Sequence, residues 1–451
     1  MKKNWKKLVA ATLAGVMTFG LMACTAEKKV PESQGEQKVT EAQGQEVKET
    51  IGGQEVQETK GSTDGKTISI GIWGGNEQES AAMDKLKAEF EASTGATVDI
   101  KVYTDYNTQI QADFIAGTVP DAFYIDASMF PFYSGLGVME PLDAAEMSTD
   151  KFAENLMGAF TTEDGTIYCI PKDVSTLATY YNEDILGEVG VSPEDIPEAL
   201  EDYQAFLVDL QAKLDEKYGA GQVAAMTYNP ELAREMYVLE AGGASVIDAE
   251  ENATLSDDTV VANVQFLADL VQSGAVKTPS DLGTGWNGEA FGTGKTAIME
   301  EGNWVYGTLK VDYSDINFGV KGMPTYKGTP YSMSFTVGWG VSAISEEKEL
   351  AKEWIKYVTG VEGMAIWCGG AGCLPSRADV AEAMDVNSDA VWKVHTEMID
   401  VAIPWQKGTT IEIVNNAYKN FVAAAFSGEE SVKEAMEKAD KQANSEIANS
   451  K

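Results

Sequence analysis

Residues 106–143, YNTQIQADFIAGTVPDAFYIDASMFPFYSGLGVMEPLD, predict the organisation of the whole fold. Apolar side chains recur at helical spacing up to Gly117, which predicts an amphipathic helix that ends there. The apolar run at 122–125 predicts a strand, and Asp126 follows it directly. Ligands of open α/β sheets bind beyond the carboxyl ends of the strands, so Asp126 is a candidate ligand contact. Its alternative role is to cap the helix that follows, a frequent position for Asp.

The chain before this stretch alternates strands and helices in the same way. Residues 67–73, TISIGIW, alternate apolar side chains and run into Gly74, which predicts a strand and a turn. Residues 81–93 keep helical spacing, and residues 98–102 alternate again. The resulting β-α-β-α-β order is typical of a parallel sheet covered by helices, so the fold class is α/β. No GxGxxG motif follows the first strand, and we expect no dinucleotide or other cofactor.

The N-terminus has the features of an exported lipoprotein. Lysines precede an apolar run at 8–21, which predicts a signal peptide over residues 1–23. Leu-Met-Ala-Cys at 21–24 resembles the bacterial lipobox and predicts lipidation of Cys24. Residues 24–65 carry few large apolar side chains, which predicts a disordered tether. We therefore expect a folded part that begins at residue 66 and is anchored by lipid at the extracellular face of the cell membrane.

Composition excludes several classes of function. The net charge of −37 argues against nucleic acid, whose binding requires a cationic surface. The only arginines are Arg234 and Arg377, so a strongly anionic ligand is not expected. The only histidine is His395, inside a predicted helix, which argues against a His-based triad and a His-rich metal site. With 71 acidic residues, a pair of carboxylates carries no evidence for glycoside hydrolysis, and we expect no enzyme and no metal site.

Three cysteines remain besides Cys24, namely Cys169, Cys368 and Cys373. Outside the cell, Cys368 and Cys373 could close a small loop as a disulfide. The alternative is that all three are buried thiols. The sequence does not distinguish between the disulfide and the free thiols.

Short motifs follow one another in a fixed order over nearly all of the chain after residue 66. They are GIWGG at 71–75, AGTVPDAFYID at 116–126, GVMEPLD at 137–143, IYCIPKD at 167–173, YYNEDIL at 180–186, AFGTGKTAIMEEGNW at 290–304, GMPTYKG at 322–328, GWGVSAISEEKELAKEWIKYV at 338–358 and CLPSR at 373–377. Their ordered combination resembles the extracellular solute-binding proteins of maltose-type and multiple-sugar ABC transporters. Cys169 stands where a glycine is common in that family.

The resemblance implies a two-lobe, Venus-flytrap fold, in which each lobe is a mixed or parallel sheet flanked by helices. The ligand would lie in the cleft between the lobes. The first lobe is expected to comprise residues 66–172 and 325–372, and the second residues 173–324 and 373–451. The chain is expected to cross near 170–175 and near 323–332 and to return to the second lobe near Cys373.

Sugar sites need flat aromatic faces and carboxylates or amides that pair with hydroxyl groups. Several tryptophans lie beside glycines, which let another surface approach the backbone. These features and the family positions nominate Trp73, Asn76, Glu77, Asp126, Asp173, Trp286, Glu289, Asn303, Trp304, Trp339 and Arg377 as ligand-binding residues. Asp126 is expected to lie opposite Trp286 and Trp304. Glu77 could instead serve the first turn of a helix, and Asp173 could hold the crossing strand.

The resemblance implies a non-catalytic, monomeric lipoprotein that binds a sugar or an oligosaccharide outside the cell. It would close on its ligand by a hinge motion and deliver it to the membrane subunits of an ABC permease. One alternative is the same fold binding another small solute, such as a polyamine or a polyol, because carboxylates beside tryptophan also suit a cation. A remote alternative is a cell-surface glycosidase.

Overall fold

The computed structural model describes residues 63–75 and 77–450. The predicted signal peptide, Cys24 and nearly all of the predicted tether lie outside the described residues, as does Asn76. The strands are β1 (Thr67–Trp73), β2 (Thr97–Tyr103), β3 (Ala122–Asp126), β4 (Cys169–Pro171), β5 (Ser175–Asn182), β6 (Ala224–Thr227), β7 (Val276–Lys277), β8 (Thr296–Gly302), β9 (Phe318–Lys321), β10 (Ser332–Phe335), β11 (Val337–Val341) and β12 (Ala402–Pro404).

The helices lie between and after these strands. They are α1 (Glu77–Thr94), α2 (Tyr106–Ala116), α3 (Phe130–Gly135), α4 (Glu154–Gly158), α5 (Glu183–Glu188), α6 (Tyr203–Tyr218), α7 (Leu232–Leu239), α8 (Asp258–Gln272), α9 (Asn287–Gly292), α10 (Trp304–Asp312), α11 (Lys348–Val358), α12 (Val361–Ala371), α13 (Ala378–Ala383), α14 (Ala390–Ile399), α15 (Ile411–Ser427) and α16 (Val432–Ser450). Among the described residues, none of the helices combines the length and the apolar character that crossing a membrane requires.

The first sheet has the strand order β2-β1-β3-β11-β4 and forms the first lobe with the helices packed on it. Strand β1 runs parallel to β2 and β3, while β11 runs antiparallel to β3 and β4. Helix α2 ends at Gly117, whose left-handed backbone terminates it as the sequence predicts. The α/β class and the β-α-β-α-β start of the chain are thereby confirmed.

The second sheet has the order β12-β10-β5-β8-β6-β7, with β9 on β5, and forms the second lobe. Strand β6 is parallel to β7 and β8, so their carboxyl ends share one edge of this sheet. Strand β5 runs antiparallel to β8 and begins at that same edge. The two C-terminal helices, α15 and α16, pack on each other and on α8 in the core of this lobe.

Two segments cross between the lobes side by side. The first comprises residues 172–174, between β4 and β5, and lies within the range expected from the sequence. The second is Thr336, between β10 and β11, and lies after the expected boundary at residue 325. The reason is that β10 pairs with β5 in the second sheet before the chain leaves it. The Thr336 hydroxyl donates to the Asp173 carbonyl at 2.7 Å, which joins the two crossings.

The chain also returns to the second lobe later than the expected position at Cys373. Val380 of α13 is still buried in the core of the first lobe. Helix α14 is the next helix, and it packs against β5 of the second sheet. Between these two helices, Val386 packs in one apolar cluster with Val174 of the first crossing, so this third segment lies beside the other two. The three segments together form the connection between the lobes.

Candidate ligand-binding site

A cavity of about 360 Å³ lies between the lobes. The lining residues from the first lobe are aromatic, polar or acidic, and those from the second lobe are one tryptophan and one glutamate. They are Trp73, Tyr106, Asn107, Asp126, Ser128 and Met129 from the first lobe and Trp405 and Glu412 from the second. The cavity therefore lies where a ligand would contact both lobes at once.

The first-lobe wall is built at the carboxyl edge of the first sheet. Trp73 is the last residue of β1, and its ring meets the rings of Tyr106 and Tyr124 edge-on, with centroids 5.2 and 4.9 Å away. The Tyr106 hydroxyl donates to the Tyr124 carbonyl at 2.6 Å, which ties the start of α2 to β3. These contacts hold the Trp73 and Tyr106 rings in place before any ligand arrives.

Asp126 ends β3 and combines the two roles considered for it. Its Oδ1 accepts hydrogen bonds from the Ser128 N–H at 2.9 Å and the Ser128 hydroxyl at 2.6 Å, so it caps the short 3-10 turn 127–129. Both bonds use Oδ1, and the residue also lines the cavity. Burial raises the pKa of Asp126; the bonds from Ser128 oppose this, while the charges of Glu412 and Asp173 add to it.

The second-lobe wall depends on the segment that follows β12. The Trp405 N–H donates to the Ser334 carbonyl at 2.8 Å, which extends the pairing of β12 with β10. The Trp405 indole N–H lies 3.3 Å from Glu412 Oε1, in the first turn of α15. Beside them, Gln406 Nε2 donates to the carbonyls of Ala127 and Ala159 at 2.7 Å each. Gln406 thus links the second lobe to the first at the edge of the cavity.

The chemistry of this cavity suits a polyhydroxylated ligand. Carboxylates of Asp126 and Glu412 can accept hydrogen bonds from pairs of hydroxyl groups, and the rings of Trp73 and Trp405 offer apolar faces. None of the described lining residues is a lysine or an arginine. In the described part of the chain, no group of three or more His, Cys, Asp or Glu side chains is arranged to hold a metal ion.

Asp173 lies at the first crossing, where its carboxylate is already bonded. Its Oδ2 accepts a hydrogen bond from the Trp367 indole at 2.9 Å and forms an ion pair with Lys172. The Lys172 ammonium also lies 4.2 Å from the centroid of the Trp367 ring. Burial alone would lower the pKa of Lys172, but the charge of Asp173, together with smaller effects of Tyr124, Cys373 and the hydrogen bond to Asp173, raises it. These bonds favour the alternative stated for Asp173, that it holds the crossing strand.

Asn303 and Trp304 follow β8 at the carboxyl edge of the second sheet. Asn303 is fully buried, and its Oδ1 accepts from the Thr176 N–H at 3.0 Å, which ties the end of β8 to the start of β5. Trp304 is 39% exposed, and its ring packs edge-on against Phe335 at 5.4 Å. The cavity beside Asp126 is lined from the second lobe by Trp405 and Glu412, in place of the expected Trp286 and Trp304.

Trp286 and Glu289 lie at the start of α9. The Trp286 ring folds over Gly288, where an added Cβ would lie 2.2 Å from it, and packs at the edge of an apolar cluster. Glu289 Oε2 accepts from the Gly285 N–H at 2.7 Å and so closes the preceding loop. Glu77 is exposed in the first turn of α1, the position that its alternative explanation assigned to it.

Trp339 and Arg377 lie inside the first lobe. Trp339 is 1% exposed, with its ring 4.4 Å from Tyr124 and 5.9 Å from Trp354. The Arg377 guanidinium donates twice to Asp379, at 3.0 and 2.7 Å, and once to the Thr359 carbonyl at 3.2 Å. The structure thus places both residues in packing and loop support rather than at the cavity.

The sequence reasoning did not single out Tyr106, Trp405 or Glu412 as ligand contacts. Trp405 has no glycine beside it, so the search for glycine-flanked tryptophans passed over it. One local signal was present: Trp405 directly follows β12 after a short apolar run, and Trp73 and Asp126 likewise lie at the carboxyl ends of their strands.

Three comparisons with known proteins bear on this site. A family model described as bacterial extracellular solute-binding protein matches residues 85–396. The chain is 22% identical over 434 residues to the maltodextrin-binding protein of Bacillus subtilis, covering 94% of each chain. It is 19% identical over 386 residues to a maltooligosaccharide ABC transporter solute-binding lipoprotein of Streptococcus pneumoniae, covering 83% of this chain and 87% of that protein.

Among solved structures, the fold is similar to an ABC substrate-binding protein from Listeria monocytogenes in complex with cycloalternan. The TM-score is 0.72 at 19% identity, covering 85% of this chain and all of that one. This likeness supports the two-lobe α/β fold that the strand topology shows. The family model covers well over half of the chain, and its match includes Asp126, Asp173 and the three crossing segments between the lobes. The chain therefore belongs to the bacterial extracellular solute-binding protein family.

Proposed function

We propose that the protein binds a sugar or an oligosaccharide in the cavity between its lobes and delivers it to the permease of an ABC importer. The observation that carries the proposal is the pairing of Trp73 and Asp126 from one lobe with Trp405 and Glu412 from the other. The relatives named for maltodextrin and maltooligosaccharide, and the fold neighbour bound to cycloalternan, support a carbohydrate ligand.

The proposed binding involves closure and no chemistry on the ligand. A ligand that contacts both lobes stabilises the state in which they are close together, because that state alone provides all the contacts. The three adjacent crossing segments are the proposed hinge, and the sheets define the two lobes. We further propose a monomer that is held at the extracellular face of the membrane by lipid on Cys24, as in the relative named a lipoprotein.

The first experiment is a thermal-shift screen with maltooligosaccharides, other sugars and spermidine. A ligand at a hundred times its Kd should stabilise the folded protein by about 2.7 kcal/mol, which raises its Tm. Stabilisation by spermidine alone would indicate a cationic ligand instead of a sugar. The two carboxylates at the cavity are the groups that would bind such a cation. Release of smaller sugars from a bound oligosaccharide, followed by chromatography, would instead show a glycosidase.

A pair of variants tests whether this cavity is the site. Trp405→Ala removes a ring that lines the cavity, and we expect about a 10- to 100-fold loss of sugar affinity by calorimetry. Trp304→Ala removes a ring of the same kind that lies outside it, and we expect affinity within about twofold of wild type. An equal loss of affinity in both variants would mean that the binding site also includes the edge of the second sheet. A loss of affinity in Trp304→Ala alone would mean that the sugar binds at that edge and not in this cavity.

A further inference from the structure

Cys368 and Cys373 occupy the two ends of the turn that terminates α12. Gly372 takes the left-handed backbone conformation, with φ +68°. The N–H groups of Gly372 and Cys373 both donate to the Cys368 carbonyl, at 2.9 and 3.3 Å. In a turn of this kind, the side chain after the left-handed residue contacts the side chain at the other end of the turn. Here both of these positions are cysteines.

The two cysteines differ in how deeply they are buried. Cys368 is buried in the core of the first lobe, while Cys373 is partly exposed and packs against the edge of that core. Hydrogen bonding with the Cys368 thiol, and then burial, raise the pKa of the Cys373 thiol. Asp173 adds to this effect and Lys172 opposes it. The thiolate form is therefore disfavoured in the folded protein, which does not suit a nucleophile or a metal ligand.

We propose that Cys368 and Cys373 form an intramolecular disulfide in the exported protein. The oxidant is an exchangeable disulfide, R–S–S–R, such as that of an extracellular thiol–disulfide oxidoreductase. As the chain folds, and before its thiol is buried, one cysteine thiolate attacks R–S–S–R and forms a mixed disulfide with release of one R–S⁻. The second cysteine thiolate attacks the mixed disulfide at the protein sulfur and releases the other R–S⁻. In total, two protein thiols lose two protons and two electrons, and the oxidant leaves as two R–SH molecules.

The bridge would fasten the end of α12 to the residues that pair with the first crossing segment. Immediately after Cys373, the Leu374 carbonyl accepts from the Val174 N–H at 3.0 Å in the first crossing. Immediately before Cys368, Trp367 donates to Asp173. The disulfide therefore holds the Trp367–Asp173 contact against the crossing strand. By restricting the unfolded chain, it also stabilises the first lobe.

Cys169 provides an internal reference for this proposal. It is fully buried in β4, its nearest sulfur neighbour is Met139 at 3.6 Å, and it packs in a different cluster from Cys368. Burial raises the pKa of its thiol. We therefore expect Cys169 to remain a thiol under conditions in which Cys368 and Cys373 are oxidised.

The test is peptide mapping of the full-length protein, refolded with a mixture of oxidised and reduced glutathione, then denatured and alkylated without reductant. We expect alkylation of Cys169 and a peptide carrying Cys368 and Cys373 that is lighter by two hydrogen atoms. Reductant before alkylation should make Cys169, Cys368 and Cys373 all react. Alkylation of Cys368 and Cys373 to the same extent as Cys169 without reductant would overturn the proposal.

Thermal unfolding with and without a phosphine reductant provides the second readout. Reductant should lower the Tm of wild type and of Cys169→Ala by about 4–8 °C. It should leave the Tm of the double variant Cys368→Ser/Cys373→Ser unchanged. A wild-type Tm that does not respond to reductant would contradict the stabilising role of the bridge, whatever ligand the protein binds.

Discussion

The carboxyl-terminal edges of the two sheets carry similar residues in different environments. Asp126 is the last residue of β3 in the first lobe, and Asn303 directly follows β8 in the second. Each uses its Oδ1 to accept a backbone N–H, from Ser128 and Thr176 respectively. Asp126 nevertheless lines the cavity, while Asn303 is fully buried. The difference arises because β5 begins beside the end of β8, and the crossing segment covers that edge.

This contrast refines the rule that ligands bind beyond the carboxyl ends of strands. In the first lobe, the chain turns away after β3 and leaves its edge open to the cavity. In the second lobe, the open position belongs to Trp405, which follows β12 rather than β8. A residue at the carboxyl end of a strand can thus contact a ligand only where no connecting strand packs over it.

The largest expected effect tests the difference between a buried and an exposed tryptophan. Trp339→Ala should lower the free energy of unfolding by about 3–5 kcal/mol, because the ring fills the core between Tyr124 and Trp354. Trp304→Ala, at a ring that is 39% exposed, should cost less than that. Urea denaturation without ligand measures both. If Trp339→Ala has wild-type stability but binds sugar more weakly, Trp339 is a ligand contact and not a core residue.

The second prediction concerns pH and a carboxyl group buried in the second lobe. Glu235 accepts hydrogen bonds from the hydroxyls of Tyr228, at 2.6 Å, and Tyr418. Burial raises its pKa to about 8, the two tyrosine bonds and Arg234 oppose this, and Glu231 adds to it. Because the native pKa exceeds the unfolded one, the native state binds more protons between those values. Stability therefore falls as pH rises from about 4.5 to 8.

The variant Glu235→Gln cannot ionise, so its stability should decline less over this range. The difference in slope should be up to about 1.4 kcal/mol per pH unit, measured by urea denaturation at pH 5, 6, 7 and 8. Burial also raises the pKa of Glu300 to about 7. Ionisation of Glu300 should therefore leave part of the decline in stability in the Glu235→Gln variant. Glu349→Gln, at a side chain that is 82% exposed, is the matched control. Identical slopes in wild type and Glu235→Gln would refute the buried, neutral carboxyl.

The smallest expected effect separates the two roles of Asp126. Asp126→Asn keeps an Oδ1 that can cap the turn at Ser128, but it removes the negative charge from the cavity. We expect nearly wild-type stability and about a tenfold loss of sugar affinity, or about 1.4 kcal/mol. Asp126→Ala should lose affinity and also about 1 kcal/mol of stability with the cap. Wild-type affinity in Asp126→Asn would leave capping as the only role of the carboxylate.

Glycines beside a tryptophan illustrate why sequence reasoning located some site residues and not others. Trp73 precedes Gly74 at the end of its strand and lines the cavity. Trp339 lies between two glycines within β11 and is buried. There, a Cβ on Gly338 would lie 2.6 Å from the Cβ of Cys169, so the glycine makes room for a neighbouring strand. The same local pattern therefore accompanies a cavity wall at one position and strand packing at the other.

Fold prediction succeeded where the signal is local. The alternation at 67–73, the helical spacing before Gly117 and the short run before Asp126 depend on neighbouring residues. Local patterns do not give the positions of the crossings, because these depend on pairing between distant strands. Residues 332–335 were assigned to the first lobe, yet their strand pairs with β5 across more than a hundred residues of chain.

The sequence by itself determined the α/β alternation, the strand ends of the first lobe and the membership of a family of extracellular binding proteins. These features follow from periodicity, turn residues and the order of short motifs. Only the tertiary structure decided that Trp405 and Glu412 face Asp126, while Trp339, Asn303 and Arg377 are held by the protein itself. The physical reason is that exposure at a cleft depends on which distant segment packs over each strand end.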